Sequence, residues 1–239
     1  MRRQARGERR GARGRTFPRM ASLGIIACLL AVTGLLAGCG ASQEQIKKAQ
    51  GHVGEGVAVL NTDQQSAYVF FQKALKEDPN NRDAHYYVAL IYAKQERFAD
   101  AEAELRKVLD IDPDYPEAYN FLGQVLIKQD RRDEAIQAYR TALSYPLYST
   151  PDIAYYHLGL VLELDRDWTG ASEAFTSALR VSPSTVQPAL IHLELGRCYY
   201  KLGQHAKARE SLAQAMLLDK DKNGAVKTDA QKLMDLLKP

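Results

Sequence analysis

Cys39 closes an uncharged run, residues 21–38, and follows Leu36, Ala37 and Gly38. A thiol with small neighbours at the end of an apolar segment is suited to carrying an acyl group, because deprotonated sulfur is a good nucleophile. The other side chains with chemical reach are dispersed. His52, His85, His157, His192 and His205 show no spacing to carboxylates or cysteines that would hold a metal. His85 and His192 take the place that Tyr119 and Tyr155 take elsewhere, and Trp168 a turn position that Phe98 also fills, so all three read as packing residues. Gly54-Glu55-Gly56 lacks both the preceding strand and the third glycine of a phosphate loop. Cys198 falls on a helix face turned toward its neighbours and reads as inert. No catalytic constellation emerges. The expectation is a protein that is no enzyme, with no cofactor, no metal and no small-molecule substrate.

The segment that presents Cys39 reads as an export signal. Eight arginines lie between Arg2 and Arg19 against the single acid Glu8, and the apolar run follows. A basic stretch followed by an apolar one is the pattern of a secretory signal peptide. An uncleaved membrane anchor is the competing reading, but an 18-residue run is at the lower limit for spanning a bilayer. Arg2-Arg3 and Arg9-Arg10 raise twin-arginine export, although neither pair adjoins the apolar run. Leu36-Ala37-Gly38-Cys39 resembles the bacterial lipobox. That resemblance implies cleavage before Cys39, diacylation of its sulfur and acylation of its new amine. Several acyl chains anchor a protein stably, whereas one does not. Gly40 is not the aspartate associated with inner-membrane retention, so the resemblance points to the periplasmic face of the outer membrane of a Gram-negative bacterium.

Cleavage would also change the electrostatics. The whole chain has a formal net charge of +3, but residues 1–38 hold eight basic groups and one acidic group. From Cys39 onward 24 basic face 28 acidic side chains, a net of −4. The positive charge belongs to the signal and gives no argument for nucleic acid as a partner. Cys28 leaves with the signal and Cys39 takes lipid, so Cys198 is left without an intrachain disulfide partner.

The elements that follow Cys39 are repeated. Ala101, Ala135, Ala171 and Ala208 are spaced by 34, 36 and 37 residues, and Ala89, Gly123, Gly159 and Gly196 each lie 12 residues before one of them. A first repeat is anchored by Ala67, Phe71, Ala74 and Pro79, with its register uncertain by a residue or two. This pattern resembles the tetratricopeptide repeat, a helix–turn–helix unit. Small residues let paired helices approach, apolar residues at helical spacing form an inward stripe, and Pro79, Pro113 and Pro183 stop second helices. The resemblance implies an all-α, right-handed superhelical solenoid of about five repeats. The expected organisation is a signal peptide over 1–38 and a lipidated tether over 39–46 that keeps the array close to the bilayer. Repeats follow at about 48–81, 82–115, 116–151, 152–188 and 189–222, within 47–222, and a capping helix over 223–239.

By resemblance to other such arrays, fixed positions of each first helix line a concave partner-binding groove. Here these are Tyr86, Leu90 and Lys94; Asn120, Gln124 and Lys128; Tyr156, Leu160 and Glu163; and Leu193, Arg197 and Tyr200. A solvated face is the alternative. The lysine–asparagine pattern that clamps a chaperone's C-terminal carboxylate is not evident. The junction Tyr145-Pro146-Leu147-Tyr148-Ser149-Thr150-Pro151-Asp152 reads as an extended connection, with Leu147 and Tyr148 offered as an interaction loop or as residues folded back on the array. With the lipobox and the array, this junction and the A-Y-x-x-L-G that follows it resemble the periplasmic lipoproteins of type IV pilus biogenesis and stability, the pilotins. The resemblance implies a protein partner, the pilus secretin, whose assembly or outer-membrane localisation would be promoted. An envelope adaptor for cell-wall enzymes, or a subunit of another outer-membrane assembly complex, shares the same fold and anchor.

Overall fold

The structure, a computed structural model, describes residues 40–221 and 224–237. The stretch read from the sequence as an export signal, with Leu36, Ala37 and Gly38, and Cys39 after it lie outside the described residues. Gln43 to Leu237 belong to one compact unit. Among the described residues there are eleven helices and no strand. They are α1 (Gln43–Val59), α2 (Gln64–Glu77), α3 (Arg82–Lys94), α4 (Phe98–Ile111), α5 (Pro116–Lys128), α6 (Arg132–Leu143), α7 (Pro151–Leu164), α8 (Trp168–Leu179), α9 (Pro188–Lys201), α10 (His205–Leu218) and α11 (Ala225–Leu236). Helices α1 to α10 pack as five consecutive pairs, each pair against the next, and α11 packs on both α9 and α10. This is the tetratricopeptide solenoid. Helix α1 starts at Gln43, inside the stretch read from the sequence as a tether, so only residues 40–42 separate it from Cys39.

Local chemistry sets the helix ends. Asp63, Asn81 and Asp167 accept hydrogen bonds from the backbone amides of Ser66, Ala84 and Gly170 at the starts of α2, α3 and α8, donors that no carbonyl inside the helix can satisfy. Proline opens α5, α7 and α9 at Pro116, Pro151 and Pro188, where its missing amide has no helical role and its fixed φ suits the first turn. Pro151 therefore begins a helix and is no part of an extended connection.

Each pair closes on a small-against-large contact. A Cβ added to Gly123, Gly159 or Gly196 would fall 2.6, 2.5 or 2.6 Å from the side chain of Tyr139, Phe175 or Leu212. In the first pair Gly56 meets Phe71 at 2.5 Å. This fixes that repeat's register, with its glycine 11 residues before Ala67 where the later repeats have 12. It also explains Gly54-Glu55-Gly56, which lies inside α1. Ala67, Ala101, Ala135, Ala171 and Ala208 are fully buried, as are Phe71, Leu105, Phe175 and Leu212.

Polar groups couple neighbouring pairs. Glu102 on α4 accepts from Arg106 at 2.6 Å, from Gln129 at 2.9 Å and from Arg131, joining α4 to the turn between α5 and α6. Its carboxyl is held below the usual range: burial opposes ionisation, but hydrogen bonds from Arg106, Gln129 and Arg131 outweigh it. Asp152, fully buried at the start of α7, accepts from the amides of Thr185 and Val186 at 2.5 and 2.8 Å and organises the loop before α9.

The junction after α6 folds back onto the array. The Tyr145 hydroxyl donates to the Pro113 carbonyl at 2.8 Å, and the Ser149 hydroxyl to Glu117 at 2.9 Å. Tyr148 is buried against Ala142 and Ala154, whereas Leu147 is 96% exposed. The pair expected to form an interaction loop is thus divided. Tyr148 is a core residue, because its ring fills the gap that the junction leaves between α6 and α7, and burial pushes its phenol up to about 12.

Candidate functional site

A concavity lies where α11 closes the last repeats. Leu160, Glu163 and Leu164 of α7, Trp168 of α8, Arg197, Tyr200 and Lys201 of α9, and Asp229, Lys232, Leu233 and Leu236 of α11 line a groove of about 760 Å³. Its apolar walls stay open to solvent: Leu164 is 57% exposed and Leu236 64% exposed. Exposed apolar side chains gathered in one concavity and rimmed by charge are the usual mark of a protein-binding surface. Lys201 lies 5.9 Å from the ring centroids of both Trp168 and Tyr200.

The predicted groove residues divide along the array. Leu160, Glu163, Arg197 and Tyr200 line this cavity together. Tyr156, just N-terminal to them, is half-buried, its ring 5.7 Å from that of Phe175. Burial raises its phenol pKa. Further toward the N-terminus Tyr86 is half-buried against Tyr115 and Phe121, each ring centroid 5.6 Å away, and burial raises its phenol strongly. Leu90 and Gln124 are partly exposed, and Lys94 and Lys128 are exposed.

Two residues do not line a groove. Leu193 is buried at 3% exposure with Val226 and Ala230, because α11 packs over this face of α9. Asn120 is buried at 7% exposure beside the His157 ring, with Oδ1 3.3 Å from Nδ1. Leu164, Trp168, Lys201 and the α11 residues were missed as groove residues. The available signal was the apolar Leu164 beyond Glu163 and Leu236 outside the buried stripe of α11.

A buried acidic cluster backs the groove. Glu194 is 8% exposed, and its Oε2 lies 3.4 Å from Arg197 Nε with no hydrogen-bond partner of good geometry. Burial pushes its carboxyl up to about 7, and the nearby charges of Glu163 and Asp229 add to the rise against the opposing effect of Arg197. Glu163 accepts a hydrogen bond from the Cys198 thiol at 3.2 Å. Burial raises the pKa of Glu163, and raises that of the Cys198 thiol far out of the reactive range. His85 is held by Glu104 and the Pro79 carbonyl, which makes it structural. Burial lowers the pKa of both His157 and His192. Among the described residues no group of three or more histidines, cysteines and carboxylates could hold a metal ion, and no helix is long and apolar enough to cross a membrane.

The fold and this groove define a class of protein-interaction scaffold. The tetratricopeptide repeat family matches residues 58–108, 92–145, 121–184 and 189–222, and the chain belongs to that family. It is similar to the type IV pilus assembly protein PilF of Pseudomonas aeruginosa, with 31% identity over 150 residues, 63% of this chain. The match spans 58% of that relative's length. A solved structure of PilF from the same organism superposes with a TM-score of 0.66 at 24% identity, covering 82% of this chain and 92% of that one. PilW, described as a widely conserved type IV pilus biogenesis factor, superposes with a TM-score of 0.63 at 24% identity, covering 82% and 91%. At that identity the two structures speak for the fold.

Proposed function

We propose that this protein is a lipid-anchored scaffold on the periplasmic face of the outer membrane. On this reading it grips a segment of the type IV pilus secretin and promotes the assembly or outer-membrane localisation of that secretin. The observation that carries this is the sequence similarity to PilF, joined to a solvent-open apolar groove of the kind a peptide or helix can fill. The mechanism is physical. Acylated Cys39 fixes the chain to the bilayer, and the groove holds the cargo there at raised effective concentration. Leu36, Ala37 and Gly38 form the stretch that the signal peptidase would read, with the small Ala37 and Gly38 next to the bond that is cut.

Deletion of the gene tests the reading. Loss of detergent-resistant secretin multimers and of surface pili is expected, with rescue by the wild-type gene. Normal multimers together with altered cell shape would transfer the function to a cell-wall adaptor. Cys39→Ser should release the array from the membrane and abolish labelling with palmitate; continued labelling would end the lipoprotein reading.

A further inference from the structure

Helix α11 walls one side of the groove, and among the described residues no further helix packs beyond it. Val226, Ala230 and Leu237 bury its apolar side, and Arg209 of α10 donates to the Leu237 carbonyl at 2.8 Å. A charged tie to the array runs through Arg197 of α9, whose Nη2 lies 3.9 Å from Asp229 Oδ2 on α11. A terminal element packed on one side opens at lower cost than the elements behind it.

Glu194 competes for the same guanidinium. Its Oε2 lies 3.4 Å from Arg197 Nε, it is buried, and that oxygen has no hydrogen-bond donor of good geometry. A buried carboxylate so placed resists ionisation unless a cation is drawn to it. The groups that face it come from three helices: Tyr156 and Glu163 from α7, Arg197 and Cys198 from α9, and Asp229 from α11. Arg197 acts on Glu163 as well, and Lys232 is engaged with Asp229 at 3.0 Å within α11. Once Glu194 ionises, one guanidinium stands among three acids.

We propose that Glu194 is a proton switch for the seating of α11. Neutral, it leaves Arg197 to Asp229, and the groove wall stays closed. Ionised, it draws Arg197 back and faces Asp229 as a like charge, and the wall loosens. Val226, Ala230 and Leu237 keep their contacts in the seated helix whatever the charge, so the switch shifts a local opening and does not dissolve the array. Opening takes Asp229 away from Glu194 and lets water in, which returns the carboxyl toward its ordinary range. Opening is therefore favoured as pH rises from 4.5 to about 7 and gains nothing more above that. The device belongs to the chain itself and holds whatever partner the groove takes.

Hydrogen exchange of the full-length protein in mild detergent, with each rate corrected for its intrinsic pH dependence, tests this. Protection of the α11 amides should fall about tenfold from pH ~5.5 to pH ~7.5 and level off above. The amides of α9, which carries Glu194, should exchange through a rarer opening, at least about tenfold more slowly than those of α11. Glu194→Gln should remove the step and keep α11 protected at the higher pH, whereas Glu163→Gln should retain it. Asp229→Asn, on the exposed side of the contact, should lower α11 protection at the lower pH and shrink the step. Protection of α11 that ignores pH, a step that survives in Glu194→Gln or stays full-sized in Asp229→Asn, or equal protection of α9 and α11 would overturn the proposal. No partner enters the measurement, so failure here leaves the secretin reading untouched, and intact secretin multimers in the deletion strain leave the switch untouched.

Discussion

Gly159 and Phe175 touch so closely that no side chain can stand between them: a Cβ on the glycine would lie 2.5 Å from the ring. Helices α7 and α8 owe their separation to this contact. Gly159→Ala must push Phe175, which is fully buried, out of its rotamer or the helices apart. Overpacking of this sort costs about 1–3 kcal/mol. The gain of about 1 kcal/mol that alanine brings to a helix interior does not offset it. Gly54 in α1 has nothing within 4 Å of its would-be Cβ. Gly54→Ala should therefore stabilise the protein by about 1 kcal/mol. Urea denaturation of the two variants checks the opposite signs; the same sign in both would mean that the contact does not govern the pair.

Asp152 ties the start of α7 to the loop before α9, and the same pair of bonds is expected to set the stability of that loop. Asp152→Ala leaves the amides of Thr185 and Val186 without their charged acceptor. A loss of about 2–3 kcal/mol is expected, because water reaches Thr185 and replaces part of what is lost. Hydrogen exchange at those two amides should accelerate, while exchange in α2 to α5 stays unchanged.

Glu194 makes stability depend on pH in an unusual direction. Its carboxyl is raised from 4.5 to about 7 by burial first and by Glu163 and Asp229 next. Between those two values the folded state binds the proton that the unfolded state has already lost. Stability therefore falls as pH rises through that window and levels off above it. Glu163, also raised, adds to the fall. Glu194→Gln should stabilise the protein by about 1–3 kcal/mol at pH ~8 and by almost nothing near pH ~4. Denaturation midpoints against pH for wild type and variant give the test, and parallel curves would contradict it.

The helix pairs were legible because each repeat carries its own local signature. Gly123 before Ala135 and Tyr139 predicts a close-packed pair without knowledge of any neighbour, and the structure supplies that contact. What was not legible came from elements distant in sequence. Leu193 occupies a groove position by register, yet it is buried because Val226 and Ala230 of α11 close over it. Asn120 is likewise covered by His157 from the following repeat. Tyr148 lay in a proline-flanked junction, where no periodicity says which way a side chain turns. The groove wall formed by Lys232, Leu233 and Leu236 depends on how α11 docks, and one helix seen alone cannot fix that.

Leu164 and Leu236 separate binding from folding. Both line the groove, and at 57% and 64% exposure neither contributes much to the core. Leu164→Asp and Leu236→Asp should leave helical content and the urea midpoint close to wild type. Each should weaken partner capture about tenfold or more, since a charge placed in an apolar seat must be desolvated on binding. Tyr156→Ala makes the contrasting case. Its ring packs on Phe175, so it should lose about 1–3 kcal/mol of stability along with any effect on capture. Circular dichroism and urea midpoints measured beside crosslinked pull-down of the envelope partner distinguish the two patterns. Full capture by Leu164→Asp together with Leu236→Asp would place the partner elsewhere on the array, with the half-buried face around Tyr86 and Leu90 as the next surface to mutate.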